Sequence, residues 1–74
     1  MPSTPAQIAF YEKLIEQFRA RREELGITQS ELAGQMGISD GLVAKWESGA
    51  RTPNSYSLAC WALALELDLI CLTK

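Results

Sequence analysis

Histidine is absent from the 74 residues, and cysteine occurs only twice. Zinc is held mostly by those two residue types, so a zinc centre would lack ligands. No glycine-rich phosphate loop is present either. These absences set enzymatic chemistry aside, and the expectation is a non-enzyme with no cofactor and no metal. Cys60 and Cys71 both lie in apolar runs. They could form one disulfide at most, and the preferred reading is two buried, reduced thiols in a cytoplasmic protein. No secretory leader is expected either, since MPSTPAQ has no basic start and no apolar run behind it. The longest apolar stretch, Leu58 to Leu72, is broken by Glu66 and Asp68 and is too short to span a bilayer. No repeat and no low-complexity segment interrupts the chain.

A basic excess is missing too, since the formal charge is -2. Nucleic-acid binders are usually basic, so the total counts against that class. Distribution decides more than the sum. Arg19, Arg21, Arg22, Lys45 and Arg51 lie in the middle of the chain, and what matters is whether they share a face. A single domain of this size buries only a modest core. Dimerisation is one way to add to its stability.

What is present is a series of helix signals. Thr4-Pro5-Ala6-Gln7 combines a capping threonine, a proline suited to the first helical position and a glutamine where a capping box needs one. Ile8, Tyr11, Leu14, Ile15, Phe18, Arg22 and Leu25 then recur at helical steps, predicting a helix over about residues 5–25 that Gly26 ends. Thr28 and Glu31 form a second capping box. Leu32, Ala33 and Met36 are its inner face, and Gly37 stops it. Ser39 is expected to cap a third helix with Asp40 in its first turn and Val43 and Trp46 facing inward. Ser48-Gly49 closes that helix. A fourth starts near Asn54 and runs through Leu58, Trp61, Ala62 and Leu65. Residues Leu67–Leu72 alternate and then turn β-prone, predicting a short strand, with a continuing helix as the alternative.

Two short helices joined through Gly37 and Ile38 make a helix-turn-helix pattern. Arg22, Gly26, Thr28-Gln29, Glu31-Leu32-Ala33, Gly37, Ser39, Val43, Trp46-Glu47, Gly49, Arg51 and Pro53 resemble the lambda-repressor-like, Cro-type helix-turn-helix family over roughly residues 18–65. The resemblance implies an all-α fold, a small four-helix domain over residues 5–65. Residues 1–4 are then a tail, and 66–74 a C-terminal strand like that of HipB-type antitoxins. It also implies a buried or half-buried ion pair between Arg22 and Glu47.

In such a motif the third helix presents its N-terminal residues to base edges in the major groove. Lys45 can donate to guanine acceptors. Asp40 either accepts from a cytosine amino group or is only a helix-start charge. Gly41 allows close approach or places a water. Gln29, Ser39 and Arg51 are the expected phosphate contacts, joined by Asn54 and Ser55 at a helix N-terminus. Recognition of DNA shape would carry part of the specificity. Leu67, Leu69, Ile70, Cys71 and Leu72 are expected to pair antiparallel with a second copy, because a lone edge strand is a liability.

The resulting expectation is a homodimeric repressor of double-stranded DNA that occupies a palindromic operator. The alternative is an antitoxin-type module whose main partner is a toxin or another protein. The lack of an extended toxin-binding tail favours the first.

Overall fold

Each helix begins and ends where local chemistry dictates. The computed structural model describes residues 3–67, and these form four helices with no strand among them. α1 runs Pro5–Glu24. The Thr4 hydroxyl accepts from the Gln7 N–H at 3.1 Å, and the Gln7 side-chain carbonyl accepts from the Thr4 N–H at 2.9 Å. At the other end Gly26 turns left-handed, with φ +73°, and the Ile27 N–H returns to the Arg22 carbonyl at 3.3 Å. A residue with a Cβ would resist that turn.

α2 is Gln29–Met36, opened by the same reciprocal bonding between Thr28 and Glu31. α3 is Leu42–Ser48 and α4 is Ser55–Ala64. The Asn54 side chain caps α4 by accepting from the Ser57 N–H at 2.7 Å.

The four helices enclose one core of Ile15, Phe18, Leu32, Ala33, Val43, Trp46, Trp61, Ala62 and Leu65. Trp61 is its centre. Phe18 of α1 meets the Trp61 ring edge-on, with centroids 4.7 Å apart, and Trp46 of α3 lies tilted against it at 5.1 Å. Such pairs add about 0.5–1.5 kcal/mol each beyond the area they bury. One residue of α4 therefore ties down both the long helix and α3. Its indole N–H is buried and has no acceptor among the described residues.

The inward stripe expected on α1 holds from Tyr11 onward, but Ile8 is 47% exposed. The cause is length. At 1.5 Å per residue α1 extends about 30 Å, whereas the other three helices reach only about 10–15 Å. The first turns of α1 overhang the bundle, and Phe10 is 75% exposed there.

At the end of α4 the continuing-helix alternative fails. Glu66 takes φ +60°, and the Leu67 N–H closes onto the Ala62 carbonyl at 2.9 Å. A left-handed non-glycine residue costs about 1–2 kcal/mol, so this stop needs outside support. Arg21 of α1 supplies it: its Nε–H donates to the Leu65 carbonyl at 3.0 Å, and its guanidinium lies 3.6 Å from the Glu66 carboxylate. A cation at a helix C-terminus is favourable. Of the residues expected to form the dimerisation strand, only Leu67 is described, half-buried against the core. Leu69, Ile70, Cys71 and Leu72, and the strand pairing expected of them, lie outside the described residues.

Candidate nucleic-acid interface

The turn between α2 and α3 sets the pose of α3. Gly37 is left-handed, with φ +71°, and the Ile38 N–H closes α2 onto the Ala33 carbonyl at 3.1 Å. The chain then makes a second turn through Ser39, Asp40 and Gly41, where the Leu42 N–H donates to the Ser39 backbone carbonyl at 3.1 Å. Two expectations need correction here. Ser39 does not cap α3 with its side chain, and Asp40 lies before the helix rather than in its first turn. The reason is Gly41, which has φ +91° and cannot be part of a right-handed helix. Gly41 itself occupies the cap position, with no side chain to bond.

Gly41 is therefore a backbone requirement before it is a DNA contact. Nothing lies within 4 Å of where its Cβ would sit, so alanine there meets strain and no clash. Gly41→Ala is expected to lower stability by about 1–2 kcal/mol. Urea unfolding beside the parent chain measures it, and an unchanged midpoint would show that the turn accommodates a Cβ freely.

Three helices meet at one carboxylate. The Glu47 side chain on α3 is 4% exposed and that of Arg22 on α1 is 11% exposed. Arg22 grips both Glu47 oxygens, with Nε–H donating to Oε2 at 2.8 Å and an Nη2–H to Oε1 at 3.2 Å. Its remaining arm donates to the Ile27 carbonyl at 2.8 Å. Gln29, the first residue of α2, donates from Nε2 to Glu47 Oε1 at 2.9 Å. The expected ion pair is thus present, and it is a three-way tie. Gln29, expected at a phosphate, gives one of its two amide N–H groups to Glu47.

The basic residues separate into two sets. Arg19 pairs with Glu16, Arg21 with Glu24 and the end of α4, and Arg22 with Glu47. Arg21 and Arg22 are held by the fold, and Arg19 is paired at the surface, its side chain 44% exposed. Lys13, Lys45 and Arg51 are exposed and enter no salt bridge among the described residues; Lys13 stands alone on α1, whereas Lys45 and Arg51 lie together at the end of α3. The Arg51 N–H donates to the Lys45 carbonyl at 3.2 Å. That bond folds the loop after α3 back beside its last turn and fixes two cation-bearing residues as neighbours.

The other expected contacts surround them. Asp40 and Ser39 are exposed ahead of α3. Asn54 is committed as a cap through its side-chain oxygen, but its amide nitrogen bonds nothing among the described residues. Ser55 is exposed at the start of α4, where backbone N–H groups lack helical partners.

Two residues in this region carried no functional signal in the sequence. Tyr11 read only as part of the α1 stripe, and Thr52 only as connector. In the structure the Tyr11 hydroxyl is buried and has no hydrogen-bond partner among the described residues. Burial raises the phenol above its ordinary pKa, and the Thr52 side chain offsets part of that rise.

Comparison with known proteins agrees with this geometry. A family profile described as helix-turn-helix matches residues 18–69. Searches of curated proteins and of solved structures returned no significant match.

Proposed function

We propose, because this chain belongs to the lambda-repressor/Cro-like helix-turn-helix family of DNA-binding transcriptional regulators, that it is a homodimeric repressor occupying a palindromic operator. The observation that carries the reading is the pair of uncommitted cations, Lys45 on α3 and Arg51 just after it, bonded through their backbones. Lys45 is assigned to base edges in the major groove and Arg51 to a phosphate. A net charge of -2 is no obstacle, because Arg21 and Arg22 are held by the fold and the acidic total does not describe the face of Lys45 and Arg51.

The two cations make separable predictions. Lys45→Ala is expected to weaken specific binding by about 1–3 kcal/mol and to relax the preference at one base pair. Arg51→Ala should weaken all duplexes alike and reduce the salt slope of log K by about one unit. Fluorescence anisotropy across a salt series separates them. An unchanged curve for Lys45→Ala removes that residue from the reading set.

Dimerisation supplies the second half-site. It is assigned to the segment from Leu67 onward, with the exposed apolar side chains Phe10 and Leu63 as further contact surface. A chain cut after Leu65 should sediment as a monomer or fail to fold, and a stable dimer from it would refute that assignment. One observation favours the antitoxin-type alternative. Asp40 and Gly41, at the base-reading end of α3, offer a negative charge and no side chain, which leaves little reading power for DNA alone.

A further inference from the structure

We propose that α4 packs antiparallel on α4 of a second copy, in the register that seats Leu63 of each copy in a cleft beside Tyr56 of the other. This rests on the homodimer reading and deepens it, by naming the residues at the two-fold axis. A helix that is apolar all round belongs in an interior. α4 carries no charged residue from Ser55 to Ala64. One face of it nevertheless lies open. Tyr56 is 78% exposed and Leu63 is 77% exposed, and Ala59 between them is exposed too. Seven residues apart, Tyr56 and Leu63 stand on one line of the helix, separated by about 10 Å.

This face carries a recess as well as a knob. Met36, Ile38, Trp46, Tyr56, Ser57 and Cys60 line a cleft of about 210 Å³, where the α2–α3 turn approaches the first turns of α4. An apolar cavity of about 150 Å³ holds a benzene ring, so this cleft has room for an aliphatic side chain. Leu63 does not line it. An antiparallel second copy brings a Leu63 to it. With the helices crossing between Ala59 and Cys60, Leu63 of each copy meets Tyr56 of the other. The contact is reciprocal, as a closed two-fold interface requires. The small Ala59 at the crossing lets the two helices approach closely.

The charge pattern selects a second copy as the occupant. An uncharged helix face gives no electrostatic hold on a nucleic acid or a charged protein, and laid on itself it brings no like charges together. A few side chains fall short of the roughly 800 Å² per partner of a stable interface. The face ends four residues before Leu67, where the segment already assigned to dimerisation begins. The two parts form one surface, and neither suffices alone.

The test is sedimentation equilibrium of the full chain without DNA, with helix content recorded by circular dichroism. Tyr56 and Leu63 are exposed in the single copy, so substitutions there leave the fold intact. Leu63→Glu and Tyr56→Lys are each expected to weaken the dimer by about 100-fold or more, because symmetry repeats each lost contact. Combining them is expected to tighten it again by about tenfold over either single variant. Only the antiparallel register sets the new carboxylate against the new ammonium of the other copy. A parent dimer unmoved by Leu63→Glu would overturn the pairing and leave the homodimer reading standing on another surface. A double variant no tighter than the single ones would overturn the register, and the proposal with it. A folded parent that sediments as a monomer would defeat the homodimer reading itself, and the pairing falls with it.

Discussion

Glu47→Ala is expected to cost about 3–5 kcal/mol of stability, enough to leave a domain this small largely unfolded. The substitution strands the Arg22 guanidinium, whose side chain is 11% exposed, with the Ile27 carbonyl and an exposed Glu23 carboxylate at 3.9 Å. It also releases the Gln29 amide. Arg22→Ala is expected to cost a similar amount, because Glu47 is left buried with Gln29 as its one remaining donor. The two losses should not add. Once one charge is gone the other is a burden, so removing both is expected to be less damaging than the sum. Urea unfolding of the two single variants and the double variant measures this. Additive losses would mean that the residues contribute separately, and that the three-way tie is not a unit.

Trp61→Ala ranks beside it. Trp61 is fully buried and contacts Phe18 and Trp46 by ring packing. Truncating a buried tryptophan to alanine typically costs about 3–5 kcal/mol through lost burial and the cavity left behind. Trp61→Phe should be much milder for a second reason besides volume: the indole N–H has no acceptor among the described residues, so no bond seen there is forfeited when it goes. Thermal unfolding followed by circular dichroism compares them. Equal losses for the two variants would indicate that the unmet N–H is bonded after all.

The parts of this fold legible in the sequence are those decided within a few residues. Thr4 with Gln7, and Thr28 with Glu31, announce α1 and α2 because a capping box is complete in four residues. Gly26 and Gly37 end helices as expected, each with a positive φ. Arg22 was readable as inward because it falls on the apolar stripe of α1. Gly41 was not readable in the same way. Glycine permits either sign of φ, so its presence alone does not say that α3 must start after it rather than before.

Partner choice was harder still. Three arginines on one helix look alike in sequence, and only the docking of α3 and α4 sorts Arg22 to Glu47 and Arg21 to the Leu65 carbonyl. Gln29 could serve a phosphate or a carboxylate with the same amide, and the geometry assigns one of its two N–H groups to Glu47. Ile8 shows a further limit. Periodicity finds the inward face of a helix but not how far that helix overhangs its neighbours. For the site, Lys45 and Arg51 are both exposed, but the backbone link between them is a tertiary fact with no local signature.

The most direct test of DNA recognition is selection of duplexes from a random pool at near-physiological salt, with Lys45→Ala run beside the parent chain. The account predicts an enriched palindrome whose half-sites lie about one helical turn, ~34 Å, apart, and a variant that fails to enrich it. A parent chain that is folded yet enriches no sequence would contradict the account, and the helix-turn-helix would then be serving a protein partner rather than an operator.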